Sequence, residues 1–191
     1  MIALFFQSFR RFVLFILLLA AACSAPMVLV SKSSAVPPGI DLSGMWLLRG
    51  DGDTRHPATL SGGQEGIRIP GGSRERSRPP RKSGGATVPV FLEYGTSLKI
   101  SQTPYGIFIS YDRSVVEEFT FGENRTVEIG PIEAQRVSGW EGDSFVIETL
   151  DDSGTTLFES WHLDGDVLTR NIRIARGETD SFVQTQLFDR Q

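Results

Sequence analysis

From residue 97 onward, apolar and polar residues alternate with a period of two. Leu98/Ile100, Ile107/Ile109/Tyr111, Phe119/Phe121 and Val127/Ile129 each set apolar side chains on one side of an extended chain. Turn residues punctuate the pattern every 8–12 positions. The predicted strands are 97–102, 106–111, 116–121, 126–129, 133–139, 144–150, 155–163, 166–174 and 181–189, preceded by one around Trp46. Links this short favour antiparallel neighbours, and a sheet with so many strands hides its edges most simply by closing on itself. The pattern therefore predicts an all-β fold, an antiparallel meander closing into an 8–10-stranded barrel or barrel-like sandwich over residues 41–191.

Two segments break the pattern. Arg10 and Arg11 precede an apolar run from Phe12 to Ala22 and a group of small residues, the layout of an export signal or a retained membrane anchor in residues 1–22, read as an apolar leader helix. Cys23, the only cysteine, follows three alanines and resembles the lipid-bearing residue of a bacterial lipoprotein signal. Residues 23–40 read as a flexible tether, since SKSSAVPPGI is small, polar and broken by proline. Residues at about 51–87 read as a long disordered insertion, because Gly, Pro and Ser dominate there and leave little to bury. All of this predicts an exported, periplasmic or cell-envelope protein tethered to a membrane.

Charge sharpens the division. Residues 61–87 carry six basic and two acidic residues, whereas residues 88–191 carry eight basic and 18 acidic. The basic stretch is a solvated linker or a contact for anionic envelope polymers or lipid. With an acidic remainder and an export signal, nucleic acid is not an expected partner. One cysteine allows no internal disulfide.

The candidate chemistry lies in LFESWHLDGDVLTRNIRI, residues 157–174. A type I′ hairpin centred on Asp164-Gly165 would pair Glu159 with Arg170 and Trp161 with Leu168. A two-residue turn at Ser153-Gly154 would add Glu148 opposite Glu159, giving a row of Glu148, Glu159 and Arg170 framed by apolar side chains. Such a row orients the polar end of a ligand, serves as a structural ion-pair ladder, or, with two carboxylates sharing a site, supports acid–base hydrolysis. The register of Arg136 relative to this face stays open by one residue. Trp46 and Trp161, with Trp140, Phe119, Phe121, Phe145 and Phe158, line a pocket or fill the core. Asp51, Asp53 and His56 have the residue types of a cation site without a second cluster to complete it. No nucleophile elbow, phosphate loop or dinucleotide motif is present, so no cofactor, metal or catalytic residue is assigned.

Gly44-Met45-Trp46 resembles the G-x-W that opens the first strand of lipocalin-like (calycin-type) barrels, in which the Trp plugs one end of the barrel under a late arginine. The resemblance covers these three residues and the strand count. It implies a barrel like those of small exported bacterial proteins, with Arg173 or Arg190 as the late arginine. The expected function is non-catalytic binding of a small apolar or amphipathic ligand at Glu148, Glu159, Arg170, Trp161 and Trp46. The alternatives are a structural or partner-binding envelope protein and a carboxylate-dependent hydrolase. A cavity above ~300 Å³ reaching the Glu/Arg row would favour the ligand carrier.

Overall fold

A computed structural model describes residues 27–50 and 88–191. The leader, Cys23 and the insertion with Asp51, Asp53 and His56 lie outside the described residues. Among the described residues no helix is long and apolar enough to cross a membrane.

Ten antiparallel strands form a single sheet: β1 (Gly44–Leu48), β2 (Ser97–Gln102), β3 (Gly106–Tyr111), β4 (Val115–Thr120), β5 (Glu123–Ile129), β6 (Ile132–Glu141), β7 (Ser144–Asp151), β8 (Thr155–Asp164), β9 (Val167–Arg176) and β10 (Thr179–Arg190). Their order is β4-β3-β2-β1-β10-β9-β8-β7-β6-β5, a meander in which the first strand pairs with the last. The sheet curls into a nearly closed barrel. Its two edges, β4 and β5, follow each other in the chain yet share no ladder among the described residues. Closure runs instead from β4 to β6 through isolated contacts: Ser138 Oγ donates to the Thr120 carbonyl (2.9 Å), and the Gly122 amide to the Ser138 carbonyl (2.8 Å).

The period-two alternation has its expected cause, because inward positions are buried at every other residue of β2, β3, β8, β9 and β10. Two apolar groups fill the interior. One end holds Trp46 together with Phe119, Phe121, Trp140, Phe145, Trp161 and Phe188; Phe121 meets Trp140 edge to face at 5.4 Å, and Trp161 stacks on Phe188 at 6.4 Å. The other end holds Leu157, Ile172 and Ile174, covered by Val88, Phe91 and Leu92 from a 3₁₀ turn at Val88–Phe91.

Residues 31–40, expected to be a tether with nothing to bury, are docked on the barrel. Ser33 exchanges both backbone hydrogen bonds with Trp140. Lys32 Nζ reaches Glu141 at 2.6 Å and Glu148 at 2.8 Å, and Val36 and Ile40 pack on the aromatic end. These partners are about a hundred positions away in sequence, so the local composition could not reveal them.

The G-x-W geometry is explicit. Trp46 is buried, its Nε1 donates to the Leu42 carbonyl (3.0 Å), and the Arg190 guanidinium lies 4.3 Å from its ring centroid. Arg190 is thus the late arginine, while Arg173 sits outside over Phe158. Gly44 makes the stacking possible: its φ is +150°, and a Cβ there would stand 2.9 Å from Arg190 Nη1.

Candidate functional site

A polar belt crosses the interior between the two apolar ends. Directly opposed inward residues run Phe145–Trp161–Arg170–Gln186, and the neighbouring row runs Ser138–Ile147–Glu159–Ile172–Gln184. Glu159 and Arg170 therefore share the inner wall but are diagonal neighbours. The hairpin is centred on Gly165-Asp166, with Asp164 paired to Val167 and Leu163 to Leu168. Positive φ occurs at Gly165 and not at Asp166, the type II′ pattern with Gly at its first central position. The pairing slips by two residues relative to the expected one, which preserves the face and changes the partner.

Glu148 is not in the row. The β7–β8 connection is a three-residue loop, Asp152-Ser153-Gly154, so Glu148 pairs with Phe158 and points outward, and Ile147 faces Glu159. Asp151 imposes this loop, because its Oδ1 accepts hydrogen bonds from the Ser153 amide (2.9 Å), Ser153 Oγ (2.7 Å) and the Thr155 amide (2.8 Å), while Gly154 takes φ +78°. An odd number of loop residues reverses the facing of every side chain beyond it. Glu148 instead binds Lys32 on the outer surface. Glu148 and Glu159 lie on opposite sides of the sheet and form no acid–base couple.

Arg170 is fully buried, and its partners account for most of its donors. Nε donates to Glu159 Oε2 at 2.8 Å and Nη2 donates to the same oxygen; Nη1 donates to the Glu93 backbone carbonyl (2.9 Å) and to Gln186 Oε1 (3.2 Å). Trp161, Tyr111 and Tyr94 present their rings to the guanidinium at 4.7, 5.5 and 5.8 Å. Burial opposes the Arg170 charge most strongly, but the adjoining Glu159 carboxylate together with Tyr111 and Glu117 raises the guanidinium pKa on balance. Burial likewise pushes the phenol of Tyr111 well above its ordinary range.

Sequence reasoning missed Glu117, and left Arg136 open; both face inward. Arg136 lies inside β6 opposite Thr149. Glu117 lies inside β4, and burial together with the Glu159 carboxylate pushes its carboxyl up to about 7, against the pull of Arg136 and Arg170. The signal was available in VVEEFT, where Glu117 has the same parity as Phe119. The aromatic pocket candidates mostly interlock as core; Phe158 is outside, and Trp161 over Arg170 and Phe119 over Arg136 join the aromatic end to the belt.

Several interior side chains retain unused hydrogen-bonding capacity, and Trp140 Nε1 at the aromatic end is one of them. Tyr111 Oη, Trp161 Nε1 and both amide atoms of Gln184 are buried without a partner among the described residues. The segment from Val88 to Tyr94 closes over this region. A cavity of about 510 Å³ lies elsewhere, between Met27 and Thr126, Ile132, Gln135, Leu150 and Asp152, and does not touch the Glu159–Arg170 pair. Among the described residues no group of three His, Cys, Asp or Glu side chains is placed to hold a metal ion.

No protein-family model matches the chain, nor does any curated protein. Solved structures of similar barrel form include apo lipid binding protein 8 of Caenorhabditis elegans (11% identity, 80% of this chain and 99% of that one, TM-score 0.49). Echinococcus granulosus fatty-acid-binding protein 1 matches at 12% identity over 78% of this chain and 96% of that one (TM-score 0.46). A secretory abundant heat soluble protein of Ramazzottius varieornatus matches at 13% identity over 86% and 100% (TM-score 0.47).

Proposed function

We propose that the barrel binds a small amphipathic molecule, non-catalytically, with its polar end against the Arg170–Gln186 row and its apolar part in the half now filled by Val88, Phe91 and Leu92. The observation that supports this reading is the set of unpartnered buried polar atoms on Tyr111 and Trp161, whose rings face the buried cation, and on Gln184 of the same inner wall. A buried donor or acceptor left unmade costs ~1–3 kcal/mol, so a ligand supplying the missing partners gains affinity there. The Glu93 carbonyl on Arg170 Nη1 occupies the position that a ligand oxygen would take. Entry therefore requires residues 88–94 to move aside. We further propose, from the leader sequence, that the protein acts outside the cytoplasm and is tethered to a membrane through Cys23 or an uncleaved leader.

One observation favours a second reading, a structural or partner-binding envelope protein: the chain's own Val88, Phe91 and Leu92 pack one half of the barrel. Titration decides between them. Oleate and 1-anilinonaphthalene-8-sulfonate, added to the full chain while Trp fluorescence is followed, are expected to bind saturably at one per barrel, with affinity reduced several-fold by Gln186→Leu and by Tyr111→Phe. Absence of saturable binding to both probes, or binding indifferent to both substitutions, would overturn the carrier reading.

A further inference from the structure

On the inner wall beside the break in the ladder between β4 and β5, β6 holds a cation without a hydrogen bond among the described residues. Arg136 is 9% exposed, yet its guanidinium makes no hydrogen bond among the described residues, and Nε is buried and unpartnered. Its nearest charges stand off at ion-pair distance: Glu117 Oε1 from β4 lies 3.9 Å from Nη1, and Glu123 Oε1 from β5 lies 3.7 Å from Nε. Both distances exceed a hydrogen bond. We propose that Arg136 is a binding site for a carboxylate monoanion, which enters between Glu117 and Glu123, where β4 and β5 share no ladder, and takes a second hydrogen bond from the Glu117 carboxyl.

The geometry selects this chemistry. The Phe119 ring lies 4.8 Å from the guanidinium carbon, and the donor edge faces Glu117 and Glu123 beyond hydrogen-bond distance. A planar carboxylate matches that edge with two parallel N–H···O bonds. A dianion would add a second negative charge beside two glutamates and is disfavoured. Burial lowers the Arg136 pKa despite Glu117 and Glu123, so the cation is short of compensating contacts. The groups facing it are Glu117, Glu123 and Arg125, with Glu159 further across the barrel; Arg125 Nε is held 3.1 Å from Glu123 Oε2. Glu117, which also feels Glu159, Arg170 and Glu93, carries its proton at slightly acidic pH and can then donate to the bound anion. Binding is consequently tighter at pH 6 than at pH 8. The site is separate from the Arg170 row and stands or falls independently of ligand binding there.

The test is the Nε–H resonance of Arg136 in the ¹⁵N-labelled full chain, assigned by its loss in Arg136→Lys and titrated with acetate, with sulfate at matched ionic strength as the control. A saturable, acetate-selective shift at pH 6 is expected, about tenfold weaker at pH 8, the ratio of protonated fractions for a group titrating near 7. In Glu117→Gln, whose amide donates at every pH, affinity should become pH-independent. No saturable shift, an equal response to sulfate, or a wild-type affinity unchanged between pH 6 and 8 would each overturn the proposal. Failure of oleate to bind the barrel would leave this result intact.

Discussion

Glu159→Ala removes the carboxylate that holds Arg170 and leaves the guanidinium in place, which makes it the most demanding perturbation of the belt. Arg170 is 0% exposed and would lose its Nε and Nη2 bonds, keeping only those from Nη1 to Glu93 and Gln186. Charge-assisted hydrogen bonds contribute roughly 1.5–3 kcal/mol each, and removing one partner of a buried pair typically costs ~3–5 kcal/mol. About 4 kcal/mol is expected, close to the whole stability of a marginal domain and on the order of a 10 °C loss in Tm for a chain of this size. Urea unfolding followed by Trp fluorescence measures it. The double variant Glu159→Leu/Arg170→Met removes both charges and should recover most of the loss, since buried pairs replaced by apolar residues of similar volume are often neutral or better. Glu148→Ala, on the outer face beside Lys32, should change stability by less than ~1 kcal/mol. If Glu159→Ala proves as mild as Glu148→Ala, or if the double variant is no more stable than the single one, the belt is not held together as described.

Glu117 gives the pH profile a definite sign. Its folded-state pKa, raised from 4.5 to about 7, means the folded chain keeps a proton that the unfolded chain has lost, so stability should fall by about 3 kcal/mol as pH rises from 4.5 through 7 and level off above. Urea midpoints at pH 5, 6, 7 and 8 should show this decline in the wild type and a flatter profile in Glu117→Gln; equal slopes would refute it. Gly44→Ala should displace Arg190 from Trp46, because the new Cβ meets Nη1 at 2.9 Å and the φ of +150° suits only glycine. A cost of about 1–3 kcal/mol and a weakened near-ultraviolet circular dichroism band are expected; an unchanged spectrum and Tm would show that the stacking is not constrained there.

The strands were legible because each depends on its own alternation. Residues 97–102 and 106–111 are strands to the residue, and the remaining ones shift only at their ends. Register was not legible, because it depends on how many residues a turn consumes. Asp151-Asp152-Ser153-Gly154 admits a two- or a three-residue loop, and the choice falls to side-chain hydrogen bonds from Asp151 that no periodicity records. That single residue moved Glu148 from the predicted site to the surface. At Gly165 the ambiguity was even, so Glu159 and Arg170 stayed inside although neither opposes the other. Arg190 could be separated from Arg173 only once β1 and β10 were known to pair, with Trp46 opposite Arg190.

What the barrel puts inside itself bears on why the belt exists. The aromatic end shows that this chain can fill an interior with interlocking rings, of which Phe119, Phe145 and Trp161 are almost wholly buried. A few ångströms away the same walls carry Glu117, Arg136, Glu159 and Arg170, at positions where an apolar side chain would fit the pattern of the strand. Buried charges are poor stabilisers even when paired, and here the pairing is uneven. Arg170 is held by Glu159, Gln186 and a main-chain carbonyl, whereas Arg136 has two carboxylates near it and bonds to neither. The unequal treatment of two arginines on one inner wall is the mark of one residue that completes the structure and another left available to something that enters it.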